Sequence, residues 1–151
     1  MIIAFYKAPG DWTDKLIRLT TRSIYSHCEL LIETPNPSSA TCAISASGRD
    51  GGVRETQIQF ISDRWDLIDV PWAPRDVVQR ARCHLGAAYD LYGAVCSQFP
   101  ILRREQDSRW FCSELIAWSL GLSQPETLSP GALALRLVDL NRAYKQGLSA
   151  K

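Results

Sequence analysis

The first half of the chain carries short apolar runs separated by turn-forming residues. Runs typical of β-strands cover 2–6, 25–33, 42–46, a stretch starting at 53, and 66–70. The segment 35–39 is rich in proline and serine and is typical of a loop. The glycine cluster at 48–52 is typical of a hairpin turn. The pattern predicts a sheet whose strands are concentrated in the first half of the chain.

Apolar residues spaced three and four apart predict helices elsewhere. The predicted helices start at Asp11 or Thr13, run over 77–95 after Pro74, run over 108–120, and start at Ser129-Pro130. In the first helix Trp12, Leu16 and Leu19 share one face. The stripe over 77–95 is the strongest in the chain and is expected to bury against a sheet. Residues 147–151 are expected to form a frayed tail.

Length and composition place the chain among ordinary globular domains. It has 151 residues, of which 46% are hydrophobic and 22% charged, which excludes disordered and collagen-like classes. We expect a single domain over 1–151 of the α+β class.

Charge and hydropathy narrow the possible partners. The 17 Lys and Arg residues against 16 Asp and Glu residues leave a net charge of +1, which disfavours non-specific nucleic-acid binding. No run of 18 apolar residues predicts an integral membrane segment. The N-terminus shows neither a basic region nor a small-residue cleavage site, so the expected location as synthesised is the cytoplasm.

Five cysteines form no CxxC pair, and an odd number of them favours reduced thiols. Cys112 stands where a helix is predicted to begin. A thiol at a helix N-terminus is stabilised as a thiolate by the helix dipole, and the unpaired N–H groups there can bind an oxyanion. The sequence therefore makes Cys112 the candidate nucleophile. Buried, chemically inert cysteine is the expectation for the others: Cys28, Cys42, Cys83 and Cys96.

Only two histidines can serve as the base that a cysteine nucleophile needs. His84 falls inside the predicted long helix and is expected at the surface or its boundary. His27 opens an apolar strand, where an imidazole can reach the rim of a sheet, although a lone strand histidine is more often structural. Each histidine has a cysteine as its immediate neighbour, and adjacent strand residues point to opposite faces, so no metal site is expected.

A third residue is needed to orient the imidazole. Glu29 lies two positions from His27 and so on the same strand face, although it could equally be solvated at the sheet edge. Ser45, on the next predicted strand, is the competing candidate. The sequence leaves both open.

These motifs resemble a known family. The segment 110–116 resembles the nucleophile motif of NlpC-type papain-like cysteine peptidases, and 25–30 is similar to their histidine strand. Histidine precedes cysteine here, as in the circularly permuted branch of YiiX-like and YebB-like proteins and lecithin retinol acyltransferase relatives. Segments 86–93 and 129–133 are similar to a Gly-x-x-Tyr-Asp segment and to the start of the last helix in that branch. The resemblance covers roughly residues 2–140.

The resemblance implies a permuted papain-like fold, with an antiparallel sheet packed against helices that include the nucleophile helix. It implies hydrolysis of an amide bond through a Cys112 thioester, with His27 as base and either Glu29 or Ser45 at the third catalytic position. The implied reaction needs no metal or organic cofactor. The implied substrate contacts are Tyr25, Tyr89, Asp90 and Trp110, although Tyr89 and Asp90 could equally only hold their helix.

Within this family a cell-wall (peptidoglycan) peptide is the expected substrate. Such a substrate requires a protein without a signal peptide to be released at lysis, as a phage or prophage product is, or delivered as an effector. One alternative is a lipid-directed acyltransferase or thioesterase, whose apolar groove would use the tryptophans 12, 65, 72, 110 and 118. The other is a non-enzymatic binding module of the same fold.

Overall fold

The computed structural model describes residues 1–36, 38–96 and 109–147. The strands are β1 (Ile2–Tyr6), β2 (His27–Leu31), β3 (Thr41–Ser47), β4 (Gly52–Ile58), β5 (Trp65–Asp69), β6 (Ala88–Tyr89) and β7 (Arg109–Trp110). The helices are α1 (Trp12–Thr21), α2 (Val77–Arg82), α3 (Leu91–Cys96), α4 (Cys112–Ser119) and α5 (Pro130–Lys145), with a 3-10 turn at Pro125–Thr127. The α+β class and the concentration of strands in the first half are confirmed.

The described strands form one curled, mostly antiparallel sheet in the order β5-β1-β2-β3-β4-β6-β7. The predicted hairpin at 48–52 joins β3 to β4, with Ser47 opposite Gly52 and Ser45 opposite Arg54. Strands β2 and β3 pair at two positions, with Leu30 opposite Ile44 and Leu31 opposite Ala43. Strand β3 nevertheless continues to Ser47. The two central strands therefore part at the end of β2 where His27 lies.

One face of the central strands packs against α4 and forms the core. The buried side chains there include Ile3, Phe5, Cys28, Leu30 and Ile44 from the sheet and Leu115 and Ile116 from α4. Successive residues of a strand point to opposite faces, so His27 and Glu29 belong to the other face of β2. The sheet thus has a core face and a second face that carries polar groups.

The apolar face of α1 points mostly to solvent. Asp11 caps the helix by accepting hydrogen bonds from the backbone N–H groups of Thr13 and Asp14, which selects Asp11 from the two predicted caps. Trp12 is 66% exposed and Leu19 is 76% exposed, whereas Asp14 and Ile17 are the buried residues of the helix. The polar second face of the sheet explains this orientation, because Asp14 is buried towards it and binds Arg49.

The prediction of one long helix over 77–95 is wrong. The chain leaves α2, turns at Gly86 with a φ of +84°, and forms the short strand β6 before α3. The backbone N–H of Val53 donates to the carbonyl oxygen of Ala87 over 2.8 Å, and that of Gly86 donates to Val53 over 2.9 Å. Pairing with β4 therefore overrides the helical spacing, and the helix begins three residues after Pro74.

The prediction of a helix over 108–120 is confirmed only from Cys112 onwards, because Arg109 and Trp110 form β7 and pair with β6. Cys112 is the first residue of α4, which ends before Gly121 with a φ of +76°. The Ser129 hydroxyl caps α5, whose first residue is Pro130. Ser108, the side chain of Cys96 and the tail 148–151 lie outside the described residues. Among the helices that are described, none is both long and apolar enough to cross a membrane.

Candidate active site

The N-terminus of α4 positions Cys112. The preceding residue, Phe111, is extended and has a side chain without hydrogen-bond acceptors, so it does not cap the helix. The N-cap position therefore supplies no side-chain hydrogen bond to the first-turn N–H groups next to Cys112. These groups and the helix dipole favour a negative charge on the sulfur. Cys112 is only 1% exposed.

His27 and Cys112 lie close enough for each to shift the pKa of the other. Burial alone would lower the pKa of His27, but the negative charge of Cys112 and then that of Glu29 raise it to about 10. The pKa of Cys112 is lowered well below its ordinary value of 9.0, first by a hydrogen bond from Cys28 and then, against the effect of burial, by the His27 charge. The directions of the two shifts favour a thiolate on Cys112 and an imidazolium on His27.

Cys28 contributes to this pair, whereas the sequence indicated an inert thiol. The backbone N–H of Ile32, the residue after β2, donates to the carbonyl oxygen of Cys42 in β3. Every second N–H of an extended strand points the same way, so the N–H of Cys28 also points towards β3. The registered pairing with β3 has ended before this residue. The N–H and the thiol of Cys28 instead hydrogen bond to Cys112. The parted strands thus provide donors to the sulfur.

Glu29 is the residue that orients His27. Its Oε1 lies 2.7 Å from His27 Nε2, and the carboxylate is 0% exposed, so the alternative of a solvated sheet-edge carboxylate is wrong. The Ser45 hydroxyl donates over 2.7 Å to the carbonyl oxygen of Cys28. The geometry therefore favours Glu29 over Ser45 for orienting the imidazole. Because Glu29 occupies Nε2, Nδ1 is the ring nitrogen left for exchanging a proton with Cys112.

Arg54 is a site residue that the sequence reasoning missed. Its two terminal nitrogens donate to Glu29, Nη1 to Oε2 over 2.8 Å and Nη2 to Oε1 over 2.5 Å. Its Nε donates to Asp50 over 2.8 Å. A signal was present in the sequence: a four-residue hairpin turn at 48–51 places residue 54 opposite residue 45, and hence on the same sheet face as Ser45.

A cleft of about 710 Å³ opens on the second face of the sheet and reaches His27, Glu29 and Arg54. Aromatic rings of Tyr6, Trp12 and Trp65 line part of it. Acidic residues line another part, where Arg49 of the 48–51 turn bridges Asp11 and Asp14 of α1 at 3.1 and 2.6 Å. The cleft is therefore a mixed polar and aromatic surface that ends at the imidazole.

Of the four predicted substrate contacts, Tyr89 lines this cleft. Tyr25 instead donates its hydroxyl to Asp66 over 2.8 Å and packs against Phe5. The Trp110 ring packs against His84, with 4.3 Å between centroids. The backbone N–H of Asp90 donates to the carbonyl oxygen of Trp110. Among the described lining residues, Tyr25, Asp90 and Trp110 do not occur.

Tyr89 lines the cleft and also lies near the buried sulfur. Burial together with the nearby Cys112 and Cys28 raises the pKa of Tyr89 above the usual range. Gly48 packs against its ring, because a Cβ added there would lie 3.1 Å from the ring. Among the described residues that line the cleft, Cys112 does not occur.

His84, Cys42 and Cys83 do not line this cleft. His84 is half-buried between Trp110 and Trp118, in agreement with its predicted boundary position. The thiol of Cys42 donates to Glu55. Cys83 is exposed, so the expectation of a buried thiol there is wrong. Within the described ranges no group of three His, Cys, Asp or Glu side chains could hold a metal ion.

Comparison with models of protein families, with curated proteins and with solved structures finds no match to this chain. The chemistry of the site therefore has to be argued from its own geometry.

Proposed function

We propose that this protein is a cysteine hydrolase that cleaves an amide bond through a thioester on Cys112. The observation that carries the proposal is the hydrogen bond of 2.7 Å between His27 and the buried Glu29, together with a nearby Cys112 whose lowered pKa and the raised pKa of His27 favour a thiolate and an imidazolium. A nucleophile with a lowered pKa, beside a base that a third group orients, is the arrangement required for covalent catalysis.

In the first half of the reaction the Cys112 sulfur attacks the carbonyl carbon of the substrate, forming a C–S bond and an oxyanion. The N–H groups at the start of α4 are placed to bind that oxyanion. His27 then transfers its proton to the leaving nitrogen. The C–N bond breaks, the amine departs, and the acyl group stays on Cys112 as a thioester.

In the second half a water molecule attacks the thioester carbon, and neutral His27 takes the proton from that water. The C–S bond breaks, releasing a carboxylic acid and restoring the thiolate–imidazolium pair. Glu29 stabilises the imidazolium in both halves without itself changing protonation state. No step requires a metal or an organic cofactor.

The composition of the cleft supports an amide substrate with polar groups rather than a long acyl chain. Asp11, Asp14, Asp50 and Arg49 line it, and charged groups bind hydrocarbon poorly. Of the five tryptophans available for an apolar groove, Trp12 and Trp65 line the cleft. A cell-wall stem peptide remains the proposed substrate, which also requires that the protein reach the cell envelope by release or delivery.

The order of the elements supports a permuted papain-like fold of the NlpC type. A histidine strand precedes a cysteine helix, and the α4 helix packs on the strand β2 that carries His27. This is the arrangement that the resemblance of segments 25–30 and 110–116 implies.

The test compares wild type with Cys112→Ala on soluble peptidoglycan stem peptides and on acyl thioesters, with products identified by mass spectrometry. We expect amide cleavage by wild type and a loss of about 10⁴-fold or more in the variant, because the covalent route disappears. Cys83→Ala, at an exposed thiol, is the matched control and should retain full activity. Equal turnover of stem peptide by wild type and Cys112→Ala would exclude the proposed mechanism. Turnover of thioesters alone would move the assignment to the acyl-directed alternative.

A further inference from the structure

The buried carboxylate that orients His27 is itself held by a cation. Glu29 is 0% exposed and lies 2.7 Å from His27 Nε2. A buried carboxylate is strongly destabilised unless charged or polar partners replace the water it has lost. Arg54 supplies two parallel hydrogen bonds of 2.8 and 2.5 Å to its two oxygens, a fork geometry that also fixes the rotation of the carboxylate.

Arg54 is in turn held from the opposite side. Its side chain is only 19% exposed, and its Nε donates to Asp50 in the hairpin turn over 2.8 Å. A guanidinium bound at all three nitrogens by two carboxylates has little freedom to rotate. The contacts therefore form a continuous row from Asp50 through Arg54, Glu29 and His27 to Cys112.

We propose that Arg54 is a positioning residue of the active site, which acts through Glu29 to hold His27 as the imidazolium partner of the Cys112 thiolate. This inference rests on the proposed function for its meaning, but its mechanism is independent of any substrate. Without Arg54, the Glu29 carboxylate keeps only His27 as a charged partner and loses the fork that fixes its rotation, so it either takes up a proton or turns away from His27. The imidazolium is then less stable, and Cys112 loses the cation that favours its thiolate form.

Other ionisable groups lie near this row and keep their own side chains in the test. Of the described residues they are Cys28 on β2 and Tyr89 on β6, with Asp14 of α1 and Asp90 next to Tyr89. Asp50, a member of the row, loses its Arg54 partner, but its negative charge favours the His27 imidazolium and so opposes the expected shift. A change in the titration of Cys112 on replacing Arg54 therefore reports on the path through Glu29 and His27.

The experiment measures the rate of Cys112 alkylation by iodoacetamide from pH 5 to pH 10, by peptide mass spectrometry on the full chain without substrate. We expect Arg54→Met to move the half-point of the profile upward by about one pH unit or more, since a single adjacent charge shifts a pKa by about one to three units. Arg54→Lys keeps the charge but not the fork, so its half-point should fall between those of wild type and Arg54→Met.

Arg82→Met is the matched control. Arg82 also makes a two-bond contact with a glutamate, at 2.9 and 3.0 Å. That glutamate is Glu55, which lies on β4 next to Arg54 but away from the site. The loss of Arg82 should leave the Cys112 profile unchanged. In a Glu29→Gln background, Arg54→Met should add no further shift, because the path through Glu29 is already broken.

A wild-type profile in a folded Arg54→Met protein, or an additional shift by Arg54→Met in the Glu29→Gln background, would overturn the proposal. If Arg54→Met does not fold, Arg54→Lys decides: a wild-type profile there overturns it and an upward shift supports it. Failure of wild type to hydrolyse any substrate would count against the proposed function but would leave this result intact.

Discussion

At the scale of single residues, the site depends on which atoms hold the ring of His27. Glu29 occupies Nε2 at 2.7 Å and leaves Nδ1 for the proton exchanged with Cys112. Ser45 was the competing candidate from the sequence, because an orienting group commonly comes from the neighbouring strand. Its hydroxyl is occupied by the carbonyl oxygen of Cys28 at 2.7 Å. Sequence spacing places both side chains on one face but does not determine which hydrogen bond each one makes.

Two single substitutions separate these roles. Ser45→Ala removes one buried hydroxyl bond, so we expect it to cost about 1–2 kcal/mol of unfolding free energy and to leave the alkylation profile of Cys112 unchanged. Glu29→Gln leaves the buried Arg54 without its carboxylate, so we expect it to cost about 3–5 kcal/mol and to slow alkylation at pH 6. Urea unfolding and alkylation rates on both variants check this.

The opposite pattern, with an unchanged profile in Glu29→Gln and slowed alkylation in Ser45→Ala, would transfer the orienting role to Ser45. Thr20→Ala serves as a control, since its hydroxyl also donates to backbone carbonyl oxygens but lies on α1 away from His27.

At the scale of elements, the sequence predicted those whose signals are local. The strand that His27 opens and the helix that Cys112 opens follow from short apolar runs and from helix-end chemistry. The apolar spacing over 77–95 predicted one long helix, which is wrong. The hydrogen bonds of Val53 with Gly86 and Ala87, which interrupt that helix, join distant parts of the chain. Local spacing does not report such pairing. The break at Gly86 has a functional consequence, since it sets Tyr89 on β6 rather than on a helix.

The position of Tyr89 predicts that its ring limits access to the sulfur. Cys112 is 1% exposed, and Tyr89 lines the cleft beside it. We therefore expect Tyr89→Ala to raise the alkylation rate of Cys112 at pH 8 several-fold, because the reagent can enter through the space left by the ring. The rate of Cys83, which is exposed, provides the internal reference.

Tyr89→Phe keeps the ring and removes the hydroxyl, so it should alkylate at the wild-type rate. If both variants behave like wild type, access to Cys112 follows another route. If both are accelerated equally, the hydroxyl rather than the ring limits access.

At the scale of the whole molecule, the curled sheet brings together groups that are far apart in the sequence. The α4 helix packs on the core face, the cleft reaches His27 on the other face, and Cys112 lies close enough to His27 to shift its pKa. The role of Arg54 and the solvent-facing apolar side of α1 follow from this arrangement. Both depend on which sheet face is polar, and that follows from the pairing of strands rather than from any one strand.

The most direct test of the thiolate–imidazolium pair is the pH dependence of Cys112 alkylation in wild type and in His27→Ala. His27 keeps its proton in the folded protein up to about pH 10, so the Cys112 thiolate should persist throughout the neutral range and its half-point should lie well below 9.0. Removing the imidazole should move that half-point upward, towards that of an ordinary thiol. A half-point near 9.0 in both proteins would contradict the account, because the resting site would then contain no activated nucleophile.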